Sequence, residues 1–306
     1  MPGGILAAFS STRTVQPAWF STYLSHQPTV ACFEVENTRI SYRHWHNVNK
    51  PGLLFVHGHA AHARWWDFIA PAFRDSHNVA TIDLSGSGDS SHRAVYSARL
   101  FAREIVGCIQ ASGLNSTTVV GHSFGGTMTR TAAYLYPEQI TAIILADSNI
   151  PTHRGSRRPP PTPRRKKRYY PNMSEGIRRF RLRPPQPRPQ DFIFNYIAEH
   201  SLKETEQGYC FKYDSAVFAK MPAEKDMPVA SDMIKNVAIP VGLIYGTLSR
   251  FFPPAVVENL PALVPPELSF SIAEAHHHVF LDQPEKFVET LSALLSIISS
   301  RQRLSS

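Results

Sequence analysis

The chain of 306 residues holds only three cysteines, Cys32, Cys108 and Cys210, scattered without any C-x-x-C spacing. An odd, dispersed set excludes a disulfide framework and a thiolate metal cage, and it fits reduced thiols in a cytoplasm. Long apolar runs are also missing. Nothing approaches the roughly 18 consecutive apolar residues of a membrane helix, and the N-terminal GILAAF is too short, and lacks the basic lead, of a signal peptide. The expectation is a soluble, unexported, cytoplasmic protein. Acidic residues are outnumbered, 24 against 32 Lys and Arg, yet the imbalance is local. Residues 154–188 carry thirteen basic residues and one acid, Glu175, a balance of +12 against a whole-chain +8, which leaves the rest of the chain at −4.

That basic stretch is dense in proline, with Pro159, Pro160, Pro161, Pro184 and Pro185 among them. Proline beside like charges prevents long helices and central strands, so a loop-rich insertion is expected there. It could present a basic surface to an anionic substrate, anionic lipid or nucleic acid, or simply cover an acidic core. Tyr169, Tyr170 and Phe180 are not spaced as a base-stacking platform, which disfavours nucleic acid as a partner.

On either side, short apolar runs at 53–56, 79–83, 117–120, 142–146, 241–245 and 268–272 read as buried strands. Amphipathic segments lie between them. Phe101, Ile105, Cys108 and Ile109 share one face of a helix, as do Phe287, Leu291, Leu294 and Leu295. Alternating strand and helix patterns predict an α/β fold, a mostly parallel sheet flanked by helices on both faces. The predicted core comprises residues 1–150 and 234–306, with 151–233 inserted as a cap. In such sheets the site lies beyond the carboxyl ends of the strands.

One such strand runs into GHSFGG, Gly121 to Gly126, which fits G-x-S-x-G. Ser123 falls on the strand-to-helix bend, the geometry of a nucleophile elbow. Gly121 and Gly125 suit it because the serine backbone is strained and side chains there would collide. A neutral serine needs a base within hydrogen-bond reach, and the base needs an orienting partner. His276, His277 and His278 follow the last predicted strand and supply candidates. Asp282-Gln-Pro-Glu285 reads as a capping box opening the final helix. Oxyanion donors are expected from backbone N–H groups after the nucleophile, Phe124, and after an earlier strand, where Gly58 lets His59 approach. His57, His59 and His62 lack a nearby carboxylate or cysteine at ligand spacing, so no metal is expected.

With HGHAAHARWW, DLSGSGDS, GHSFGG and AHHHVFLDQP in order, the chain resembles the α/β-hydrolase superfamily over roughly residues 17 to 300. The resemblance implies His277 as the base, seven residues before the proline of the last block. It also implies that Asp83 to Ser90 form a structural turn, with Asp89 part of it. One position departs from the pattern. The triad acid of most relatives ends a G-x-x-D pattern after the strand matched by 241–245, whereas this chain reads Gly246-Thr-Leu-Ser249. Some superfamily members carry the acid one strand earlier, which selects Asp147; Glu274 is the alternative, a Ser–His dyad another. Asp147 could instead cap the insertion through N–H groups such as those of Asn149 or Ile150.

The expected function is a serine hydrolase cleaving a carboxylic ester or related acyl bond, with Ser123, His277 and Asp147 as the triad and no cofactor. Trp65 and Trp66 are candidate substrate-binding residues, with helix packing as the alternative, and the aromatic side chains of the insertion either line a pocket or form its own core. Lactone, thioester or carbon–carbon bond hydrolysis use the same groups, and a ligand receptor or scaffold of little turnover uses the same fold. The expected partner is a small acyl substrate, anionic if the basic insertion steers it.

Overall fold

The structure is a computed structural model that describes residues 16–153, 167–222 and 224–305. The first part of the basic run, residues 154–166, and the GILAAF segment lie outside the described residues. The chain begins with α1 (Ala18–Ser25), β1 (Thr29–Val35), β2 (Thr38–Trp45), β3 (Gly52–Val56), β4 (Asn78–Ile82) and α2 (Ala98–Ala111). Next come β5 (Thr118–His122), α3 (Phe124–Leu135) and β6 (Ala142–Ala146). After these lie α4 (Met173–Arg179), α5 (Asp191–His200), β7 (Leu202–Thr205), β8 (Gly208–Phe211) and α6 (Ala230–Asn236). The chain closes with β9 (Val241–Gly246), α7 (Pro254–Val257), β10 (Ser269–Ile272), α8 (Val279–Asp282) and α9 (Pro284–Ser305).

Eight strands form one sheet in the order β1-β2-β4-β3-β5-β6-β9-β10. From β4 to β10 all neighbours are parallel, and every residue of β3, β4, β5 and β6 is buried, as expected for strands covered on both faces. All six expected strands are present. The antiparallel pair β1 and β2 was not anticipated. Glu36 and Asn37 join these strands with φ of 47° and 58° between the paired Val35 and Thr38, the left-handed two-residue turn that matches strand twist.

Helices α2, α3 and α6 pack against one another on one side of the sheet. The expected apolar faces are the buried ones: Phe101, Ile105, Cys108 and Ile109 in α2, and Phe287, Leu291, Leu294 and Leu295 in α9. The strand order turns at β3, with β4 on one side and β5 on the other, so a crevice opens beyond the carboxyl ends of β3 and β5. His59 follows the first of these strands and Ser123 the second.

Between β6 and β9 lies the proline-rich region, of which residues 167–188 are described. Its described part before α5 contains only the seven-residue α4, capped by Asn172 accepting from Glu175 N–H. Phe180, Phe192, Phe194 and Ile197 are buried and continuous with the main core, Phe192 packing on Phe20 and Phe180 on Trp65. Tyr196 anchors it to the sheet by donating to Asp67 Oδ2 at 2.6 Å, while Asp67 also accepts two bonds from Arg43, at 2.9 and 3.1 Å.

Trp65 and Trp66 differ from the expectation. Both are buried in the short turn after β3, and Trp66, with no exposed surface, stacks on Phe280 at 4.2 Å. A side chain wholly enclosed by Phe55, Phe280 and Phe287 packs the core and cannot form a pocket wall. Trp65 lies against His278 and Phe180, likewise out of solvent. Trp66→Ala is therefore expected to lower unfolding stability by about 3–5 kcal/mol in urea titration. A change in KM with little loss of stability would restore the pocket assignment.

Candidate active site

Ser123 follows β5 with φ 53° and ψ −117°, a backbone that L side chains rarely adopt. The neighbouring glycines make the bend possible. A Cβ on Gly125 would sit 2.3 Å from His57 O, and one on Gly121 2.4 Å from Thr129 Oγ1. The bend is held by Ser123 N–H donating to Ala146 O and by Ser148 Oγ donating to Ser123 O, at 3.0 and 2.8 Å.

Asp147 leaves the next strand, β6, also with a positive φ, 43°. Its carboxylate turns toward β9 rather than toward its own chain. Oδ2 accepts from Gly246 N–H at 3.0 Å; Oδ1 accepts from Ser249 Oγ at 2.7 Å and lies 2.7 Å from His277 Nδ1. The capping role toward Asn149 or Ile150 is therefore not what its oxygens do. Ser249 stands where relatives place the acid, and here it solvates the acid of the neighbouring strand. Its own oxygen accepts from Phe251 N–H at 3.2 Å, which aims the hydroxyl proton at Asp147.

His277 Nε2 lies 2.8 Å from Ser123 Oγ, so the imidazole bridges serine and carboxylate. A carboxylate only accepts, which places the ring proton on Nδ1 and leaves Nε2 free to accept from the serine. The loop that carries His277 crosses tightly over β9, since a Cβ on Gly246 would lie 2.1 Å from Ala275 O. His122, inside the GHSFGG block, donates from Nε2 to His277 O at 3.0 Å. Sequence reasoning missed that contact, as it missed the Ser249 bond, because neither spacing nor periodicity reports a partner some hundred residues or more away.

Several expected residues serve elsewhere. Glu274 is exposed and its backbone N–H bonds Thr247 Oγ1, apart from His277. Asp282 is not the N-cap of α9; it ends α8, and its carboxylate accepts from His276 N–H at 2.7 Å. Asp83 accepts from the N–H groups of Ala63 and Asp89, the structural turn expected there, and Asp89 pairs with Lys212. The His57 ring bonds Gly58 O and Leu84 N–H, while His62 bonds Ser201, so these side chains diverge from one another. His122, His277 and His278 are the one grouping among the described residues whose ring nitrogens approach closely, within 4.8 Å. Both nitrogens of His277 are already engaged by Ser123 and Asp147, and a cation there would have to break one of those bonds.

The two backbone N–H groups expected to face an oxyanion, those of His59 and Phe124, have no acceptor among the described residues. Both border the serine. Gly58 packs against His122 and Ser123, where a Cβ would lie 2.8 Å from the His122 ring, and Phe124 opens α3 directly after Ser123. The His59 ring contacts Phe218 at 4.3 Å, and the His277 ring contacts Phe251 at 4.6 Å. Phe218 and Phe251, 40% and 37% exposed, are apolar surfaces beside these two rings.

The alpha/beta hydrolase fold family model matches residues 51–284. The chain belongs to the α/β-hydrolase family. It is 23% identical over 274 residues to an uncharacterized hydrolase, YugF, of Bacillus subtilis (strain 168), covering 85% of this chain and 95% of that one. Among solved structures it is similar to E-2-(acetamidomethylene)succinate hydrolase, with a TM-score of 0.73 at 18% identity, 88% of this chain and 99% of the other. An esterase of Mycobacterium tuberculosis matches with a TM-score of 0.67 at 18% identity over 91% and 97% of the two chains. At those identities the structural neighbours bear on the fold of this α/β-hydrolase and not on its substrate.

Electrostatics of the His277–Asp147 pair follow from burial. Burial pushes Asp147 up to about 7, opposed by the bonds from Gly246 and Ser249, and pushes His277 down to about 4. The two share one hydrogen bond and titrate as a unit, and burial favours the state without net charge. The first proton therefore adds near the upper value, and the form with neutral His277 and ionised Asp147 exists above it. Ser249 stabilises the ionised carboxylate, so its removal raises the pair further. Ser249→Ala is expected to move the acidic limb of any His277-dependent turnover to higher pH, with loss near pH 7 and little change near pH 9. A limb that stays in place, or moves down, would show that the hydroxyl does not support the carboxylate.

Proposed function

We propose that the chain is a serine hydrolase that cleaves carboxylic esters or related acyl bonds. The observation that carries this reading is the unbroken line Asp147 Oδ1, His277, Ser123 Oγ, with contacts of 2.7 and 2.8 Å at the carboxyl edge of the sheet. Ser123 Oγ attacks the carbonyl carbon while its proton passes to His277 Nε2. Asp147 holds Nδ1–H and stabilises the imidazolium that forms. The tetrahedral oxygen takes the N–H groups of His59 and Phe124, each such donor contributing about 3 to 4 kcal/mol to the transition state. His277 returns the proton to the leaving alcohol; water then attacks the acyl-enzyme, with His277 again accepting a proton, and releases the acid. No cofactor is needed for any of these steps.

The region between β6 and β9 acts in this reading as a cap, with Phe218 and Phe251 as apolar walls for the acyl group. An acidic substrate is favoured by the basic residues of this region, among them Arg178, Arg179, Arg181, Arg183 and Arg188. The substrate in the name of one structural neighbour, a succinate derivative, is acidic as well. The three cysteines are free, which accords with a reducing cytoplasm. Among the described residues no helix is long and apolar enough to cross a membrane.

A fluorophosphonate probe tests the nucleophile. Covalent labelling of the wild-type protein and none of Ser123→Ala is expected; absence of labelling, or equal labelling of both, would refute the hydrolase reading. Turnover of a carboxylate-bearing ester should also fall with added salt more than that of a neutral ester, and equal salt dependence would remove the acidic-substrate part.

A further inference from the structure

Among the backbone groups of the loop that presents His277, the N–H of His276, the C=O of His277 and the N–H of His278 are held by side chains. Two are held by the sheet and its helices. His276 N–H donates to Asp282 Oδ2 at 2.7 Å, and His277 C=O accepts from His122 on β5 at 3.0 Å. The third is held by the region between β6 and β9. His278 N–H donates to Gln186 Oε1 at 2.9 Å, and the same amide donates from Nε2 to Asp282 Oδ1, also at 2.9 Å. The orientation of the amide follows from its partners, since a carboxylate only accepts and a backbone N–H only donates.

Gln186 and Asp282 are thus one unit. Each takes the N–H on one side of His277, and a bond between them closes the unit. The neighbouring ring of His276 adds a contact to Asp282 at 3.1 Å. Without Gln186, the N–H of His278 would lose its partner beside a buried imidazole. An unpaired buried donor is unfavourable, and movement of the loop relieves it. A shift of this loop carries the His277 ring with it, and proton transfer from Ser123 depends on the 2.8 Å contact.

We propose that Gln186 is a positioning residue for His277, so that the segment containing it completes the active site only while docked on the His276 to Asp282 loop. The proposal rests on the reading of His277 as the base. It makes the cap more than a cover over substrate, because lifting the segment around Gln186 releases one of the side-chain grips on the loop that carries the base. A substrate that holds this segment down would thereby hold His277 in register with Ser123.

Gln186→Met keeps the length of the side chain and deletes both hydrogen bonds. In the full chain we expect kcat on a chromogenic ester to fall tenfold or more with KM within twofold, and the downfield proton resonance of His277 Nδ1–H to broaden or vanish while the unfolding temperature changes little. Gln186→Asn, one methylene too short to reach both partners, serves the same comparison if Gln186→Met does not fold. A kcat within twofold of wild type with the resonance intact would overturn the proposal. So would a loss of kcat that merely tracks a raised KM and a lowered unfolding temperature. If the wild-type protein turned over no ester and took no fluorophosphonate, the hydrolase reading would fail, and the resonance would still report whether Gln186 orders His277.

Discussion

The carboxylate of Asp147 is 1% exposed, and most of the site's geometry answers that fact. A charge taken out of water has to be surrounded by donors. Here they come from three separate pieces of chain: the N–H of Gly246, where β9 ends, the hydroxyl of Ser249 in the turn after it, and the Nδ1 side of His277 beyond β10. Because β6, β9 and β10 are adjacent and parallel, their carboxyl ends deliver these groups to one place without long loops. The carboxylate in turn fixes the face of the imidazole, and the imidazole finds Ser123 on the other neighbour of β6.

Close crossing of chains is the second constraint. Ser123 and Asp147 both carry left-handed backbone, and Ser123 N–H is bonded to Ala146 O, one residue before Asp147. The strain of the two bends is distributed over a shared set of bonds. Gly125 lets the elbow approach the end of β3, and Gly246 lets the histidine loop pass over β9. Such strained residues persist when their surroundings over-determine them. In this site the surroundings include the region between β6 and β9, tied down through Tyr196 to Asp67 and through Gln186 to Asp282.

What was legible in the sequence is what repeats locally. Uninterrupted apolar runs marked six strands, one-sided apolar spacing marked α2 and α9, and glycines around Ser123 marked a bend that no other residue type tolerates. Val35-Glu-Asn-Thr38 carried a hairpin signal as well, a two-residue turn ending in asparagine, but the half-buried alternation of β1 is weaker than a solid apolar run. Harder to read were contacts set by tertiary structure. Trp65 and Trp66 follow the His57 to His59 loop in sequence, yet the short turn directs them into the core. Asp282 fits a capping box and instead serves the histidine loop. Ser249 looked like a missing acid, and its role as a donor becomes evident only once Asp147 is placed beside it; nothing in the sequence around Gln186 marks it at all.

The claim on which the rest depends is that the acid has moved to the end of β6, with Ser249 supporting it from the usual position. Turnover of one ester by wild type, Asp147→Asn and Ser249→Asp tests it most directly. Asp147→Asn should lose roughly a thousandfold or more in kcat, since it disturbs the histidine tautomer. Ser249→Asp should gain nothing, because its carboxylate would lie against that of Asp147. Full activity in Asp147→Asn, or a gain in Ser249→Asp, would contradict the account.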